Sequence, residues 1–174
     1  MSRLATYTNF YELGIKLVSQ TYEHAGETNN VVFNSASLSS PDYPIKTILT
    51  HGSIELSFPD TDENPVRVSA LGRVWPIDQA IGKTKINSVM LEDNVQIQCV
   101  QPIENFKVIY TDYQLVSGSS IAIEKGVLVF VFGTNYTVND NEYSSFQMFA
   151  VQNSNANVAA IDDTKIVIFK SIPK

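Results

Sequence analysis

Cysteine, histidine and charge are all scarce in this 174-residue chain. The single cysteine, Cys99, excludes an intrachain disulfide. The two histidines, His24 and His51, are too few to assemble a three-histidine metal site. Only 17% of the residues are charged, the net charge is −6, and no Lys/Arg run occurs. That balance argues against a nucleic-acid or anionic-membrane surface. No apolar stretch approaches the roughly 18 residues needed to span a bilayer. The first residues lack the apolar segment of a secretory signal. Together these features suit a protein made in a reducing cytoplasm. Long amphipathic helical patterns and internal sequence repeats are missing too.

What is present is 44% hydrophobic residues, enough at this length for a buried core without staples. The polar residues are mainly Asn, Ser, Thr and Gln, which favour turns and strand faces over helices. The most apolar short stretch is 127–132, Val-Leu-Val-Phe-Val-Phe. A strand alternates its side chains between two faces, so this run must be covered on both. It is the expected core strand. Gly118, Gly126 and Gly133 punctuate the segment around it.

Further strands are predicted at 31–33, 45–50, 53–58, 66–75, 86–91, 95–100, 106–110, 136–138, 145–152 and 165–169. His51-Gly52 reads as a tight hairpin turn, 92–94 as another, and Gly72 as a bulge. The opening segment is ambiguous. Asn9 and Glu12 could form a helix capping box. Alternation of Leu13, Ile15 and Leu17, with Gly14 weakening a helix, favours a strand or extended arm. Short strands at this spacing predict an all-β protein, an antiparallel β-sandwich or jelly roll. Residues 1–30 form an N-terminal arm or edge segment in this reading, and residues 31–174 a single β-sandwich domain.

The spacing from Gly118 to Gly133 resembles the second motif of the cupins, double-stranded β-helix jelly rolls. Gly118 and Gly126 occupy the two glycine positions of Gly-x5-Pro-x-Gly-x2-His-x3-Asn. Glu124 stands at the proline, Val129 at the metal-binding histidine and Gly133 at the asparagine. The resemblance thus implies the turn skeleton of a cupin without its metal chemistry. His51, Gly52 and Ser53 begin the His-x-His pattern of the first cupin motif and fail it at Ser53.

Other candidates are weaker. His51 and Glu55, four apart on one strand, would share a face and could form an acid–base pair. Cys99 falls in phase with Val95 and Ile97, as a small buried hydrophobe. Asp60, Asp62 and Asn64 open like a calcium loop, but Pro65 replaces the required glycine. Gly82-Lys83-Thr84 ends like a phosphate loop, yet Ile77 stands where its first glycine belongs. Asn135-Tyr136-Thr137 is a glycosylation sequon, relevant only in a secreted chain. Trp75, Tyr110 and Tyr113 could stack on sugar faces or anchor an interface.

With no assembled catalytic set and an aromatic N-terminal arm, the leading expectation is a non-enzymatic virion component. A phage capsid decoration or tail protein fits, located in the virion and binding itself, with a trimer as the expected assembly, and other structural proteins. No cofactor and no metal is expected. Two alternatives stand beside it. One is a metal-independent cupin-like enzyme on a small sugar-like ligand, with His51 or a barrel tyrosine as acid or base. The other is a carbohydrate-binding module.

Overall fold

The computed structural model describes residues 3–22, 28–29, 46–52, 54–57, 66–68, 73–76, 88–91 and 95–174. Those residues are almost entirely antiparallel strand, as expected. Several predictions fall outside them: His24, the strand at 31–33, the acidic loop 60–65, Gly72, Gly82 to Thr84, and the turn at 92–94.

The chain divides into two compact units. The first holds Met1–Asn9 and Lys16–Glu104, the second Phe10–Ile15 and Asn105–Lys174. These limits do not coincide with the arm and single domain read from the sequence. The capping box is not formed, because the 3-10 turn Tyr11–Leu13 has no side-chain cap. Gly14 ends that turn at φ +70°, so strand β1 (Arg3–Phe10) gives way to β2 (Ile15–Tyr22).

The first unit continues with β3 (Thr28–Asn29), β4 (Lys46–His51), β5 (Ile54–Ser57) and β6 (Val66–Val68). It ends with β7 (Arg73–Pro76), β8 (Ser88–Leu91) and β9 (Val95–Pro102). Its two sheets run β1-β2-β9-β4-β7 and β3-β8-β5-β6. The second unit contains β10 (Phe106–Leu115), β11 (Ser120–Ile123), β12 (Val127–Phe132) and β13 (Tyr136–Val138). After these come β14 (Asn141–Tyr143), β15 (Gln147–Val151), β16 (Ala156–Ala160) and β17 (Thr164–Pro173). Its sheets run β10-β17-β12-β15 and β11-β16-β13-β14. Adding eight to each strand number from β2 to β9 converts the first pattern into the second. The chain is therefore a topological duplication, although no repeat is legible in its residues.

This topology corrects two expected hairpins and one expected strand. His51-Gly52 joins β4 to β5, which lie in different sheets of the first unit. The predicted single strand 66–75 is two strands, β6 and β7, again in different sheets. Strands β8 and β9 likewise do not pair with each other. A jelly roll sends consecutive strands to opposite sheets, so a short connection there crosses the sandwich.

In the second unit every residue of β12 is buried. Val127, Val129 and Val131 join a core with Leu115, Ile123 and Val158. Burying each such side chain contributes roughly 1.5–3 kcal/mol. On the other face Phe130 meets Phe169 edge-on at 5.4 Å between ring centres and stacks near Phe146 at 6.1 Å. Both faces are covered, as the unbroken apolar run requires. The flanking glycines do what the spacing demanded. Gly118 and Gly126 adopt φ +85° and +99°, a region costly to any residue with a Cβ.

Candidate functional site

The second unit's interior offers no room for reagents at the position that the cupin resemblance marks. Val129 is fully buried inside an apolar cluster. The buried polar group nearest that core is Tyr136, whose hydroxyl donates to the Ser145 carbonyl at 2.6 Å. Burial, and then the neighbouring Tyr143, push its ionisation above the ordinary tyrosine range. The ring is thus held neutral as a structural hydrogen-bond donor. A metal of the cupin kind does not fit here, since aliphatic carbon surrounds the residue at the ligand position. Among the described residues, no group of three His, Cys, Asp or Glu side chains could hold a metal ion.

The first unit differs. Ile48 lies opposite Gln98, and the register then shifts between Leu49 and His51, so that His51 lies opposite Gln96. Thr50 is the extra residue of this β-bulge. It is buried, and its hydroxyl donates to the Gln96 carbonyl at 3.1 Å. Directly opposed residues of an antiparallel pair share a face. Without the bulge, His51 would point away from Gln98. With it, Ile48, His51, Gln96 and Gln98 line one face of the sheet.

The resulting strip runs from solvent into the protein. His51 is exposed, Gln96 is half-buried and Gln98 is buried. Ser19 on β2 extends it, its hydroxyl donating to Gln98 Oε1. That bond fixes the amide and leaves its nitrogen without a partner among the described residues. Such a strip can donate hydrogen bonds to hydroxyl or carbonyl oxygens at depth and exchange a proton at its rim. The corresponding face of β12 in the second unit carries Val127, Val129 and Val131.

The other sequence candidates separate. Glu55 is on β5, opposite Met90 and Arg67, so it does not share a strand with His51 and the paired-face argument fails. Cys99 is buried, as its phase predicts. Trp75 is on β7 of the first unit, opposite Thr47. Tyr110 and Tyr113 are both on β10 of the second, Tyr110 packed on Phe169. Sequence reasoning missed the bulge because no glycine marks it, and it missed Gln96, Gln98 and Ser19 as members of a site.

No family profile and no curated protein matches this chain. Solved structures do. The Escherichia coli protein YlbA is similar at a TM-score of 0.54 and 11% identity, over 99% of this chain and 84% of that one. Salicylate 1,2-dioxygenase from Pseudaminobacter salicylatoxidans is similar at 0.53 and 9%, over 95% and 75%. A conserved Pseudomonas aeruginosa protein of unknown function is similar at 0.50 and 7%, over 92% and 84%. The class is clear from this likeness: the chain is an all-β protein with the cupin-type jelly-roll fold.

Two expectations change as a result. The reading of the chain as no enzyme is overturned, because its fold is one on which a dioxygenase is built. The virion reading draws no support from any of these structures.

Proposed function

We propose that the chain is a cupin-like enzyme acting on a small, polar, sugar-like ligand at the first unit, without the three-histidine metal site. The carrying observation is the β-bulge that turns His51 onto the face of Gln96 and Gln98. Bulges that re-aim a side chain recur beside active sites. His51 is the general acid or base, histidine being the side chain most often found in that role. Gln98, oriented by Ser19, and Gln96 are the binding groups for ligand oxygens. Amides without charge suit a neutral polyhydroxy or keto ligand. Thr50 is a positioning residue, acting through the Gln96 carbonyl. The fold shared with a dioxygenase supports catalysis on this scaffold but names no substrate.

The test is solvent-exchange NMR in D2O with a panel of ketoses and keto sugar acids. Deuterium should enter a carbon-bound position of at least one member. The exchange rate should fall about 100-fold or more in His51→Gln, the usual scale for a lost acid–base group. Absence of exchange with every member, or an unchanged rate in His51→Gln, would remove the proposal.

A further inference from the structure

A different site lies on the second unit, where a cleft of about 230 Å³ opens between the β13–β14 turn and the β15–β16 loop. We infer that this cleft binds a neutral hexopyranose unit. The inference is independent of the first-unit reading.

The turn is built for rigidity. Val138 pairs with Asn141, so Asn139 and Asp140 form a two-residue hairpin turn. Both have positive φ, +48° and +67°, the geometry of a type I′ turn. Neither is glycine, and the conformation is held from outside. Asn139 N–H donates to the Asn157 carbonyl at 2.8 Å, and Asn157 N–H donates to Asn139 Oδ1 at 2.9 Å. With that oxygen engaged, the Asn139 amide nitrogen is left to donate elsewhere. The opposite loop is also tied down, since Lys125 N–H donates to Asn155 Oδ1 at 3.0 Å.

The lining fits one ligand chemistry. Asn139, Gln152, Asn153 and Ser154 supply amides and a hydroxyl, both donors and acceptors. Gln152, Asn153 and Ser154 make no side-chain hydrogen bond among the described residues. Phe149 is the one aromatic lining the cleft, half-buried against the apolar core. No ionisable side chain lines it. Charged ligands would therefore enter without a counter-charge. A pyranose instead presents hydroxyls to the amides and a C–H face to the ring. Loop and turn fixed in advance lower the ordering cost of binding.

The experiment uses the full-length, 15N-labelled chain. Methyl β-D-galactopyranoside, methyl α-D-glucopyranoside and N-acetyl-D-glucosamine are titrated separately to high millimolar concentration. Saturable amide shifts are expected at 138–139 and 149–156 for at least one probe. The exposed pair Gln152→Ala with Asn153→Ala should raise its Kd about tenfold or more, two hydrogen bonds lost at about 1 kcal/mol each. Asn139→Gly, which keeps the turn and deletes the amide, should weaken binding as well. A trisaccharide ending in the same sugar separates sources: tighter binding assigns a glycan end, equal binding a free sugar, and both uphold the cleft. Failure of all three probes to saturate overturns it, as does an unchanged Kd in the double variant. Shifts centred on residues 19, 48–51 and 96–98 would also overturn it, while leaving the first-unit reading standing.

Discussion

Replacing Val129 with histidine would restore the side chain that the cupin pattern carries at this position. If the second unit's interior is a packed core, the change should be costly. Val129 is fully buried, lies opposite Ile168 and Phe149, and touches no open chamber. A buried imidazole nitrogen without a partner costs about 1–3 kcal/mol. The larger ring in a filled site adds about 1–3 kcal/mol of overpacking. The expected loss is therefore about 2–6 kcal/mol. The second unit falls within the 60–100-residue range, where each kcal/mol lowers Tm by roughly 4–8 °C. A fall of roughly 8–48 °C in the melting midpoint is therefore expected for Val129→His. Circular dichroism melts, with and without Ni2+, read it directly. A wild-type midpoint, or one that Ni2+ raises, would mean that the interior accepts a ligand chamber, and the filled-core reasoning would fail.

Gly126→Ala and Gly133→Ala should both destabilise in urea titrations, for different reasons. Nothing lies within 4 Å of a Cβ at Gly126, so its cost of about 1–3 kcal/mol comes from φ +99° alone. At Gly133 a Cβ would sit 2.9 Å from Thr164 Oγ1 and 3.0 Å from the Tyr136 ring, so there the cost is a clash; Thr164→Ser alongside should recover none of the loss at Gly126. Tyr136→Phe should cost about 1 kcal/mol by leaving the Ser145 carbonyl unbonded. Because burial raises the folded ionisation of Tyr136, its contribution is complete below the unfolded tyrosine value near 10 and is lost as pH climbs above it. An alkaline stability titration should accordingly be steeper in the wild type than in Tyr136→Phe. His51→Ala should leave the unfolding free energy within about 0.5 kcal/mol of wild type, since the side chain is exposed, and a large loss would contradict its place on the rim.

Strand β12 was legible because its signal is physical and local. Six consecutive apolar residues need cover on both faces, and the structure provides it. Gly118 and Gly126 were legible for the same reason, as turns that require positive φ. Pairing was not legible. A short connection between two strands reads alike whether it closes a hairpin or crosses between sheets, and at His51-Gly52 the hairpin was the wrong choice. Strand β16, Ala-Asn-Val-Ala-Ala, was invisible because alanine and asparagine carry little strand propensity. The β13–β14 hairpin was missed although Asn139-Asp140 carries the residue types of a type I′ turn. The bulge in β4 left no sequence mark at all, since its extra residue is a buried threonine rather than a glycine.

The duplication explains why the functional signal was so faint. Two units share one strand order, and a core tolerates wide substitution when volume and pattern are kept. Once copies diverge, nothing in the residues need betray the repeat. Strands β4 and β12 hold equivalent places, yet one reads Lys-Thr-Ile-Leu-Thr-His and the other Val-Leu-Val-Phe-Val-Phe. A fully apolar strand with both faces buried can support neighbours but cannot present a polar group to a ligand. A strand with a bulge, a buried threonine and a terminal histidine can. The Gln98→Leu change tests this asymmetry. In the first unit it removes the Ser19 bond and the deep amide together. The proton exchange assigned to His51 should fall with it, although the substitution leaves the exposed imidazole in place. Retention of full exchange in Gln98→Leu would mean that the strip is packing alone.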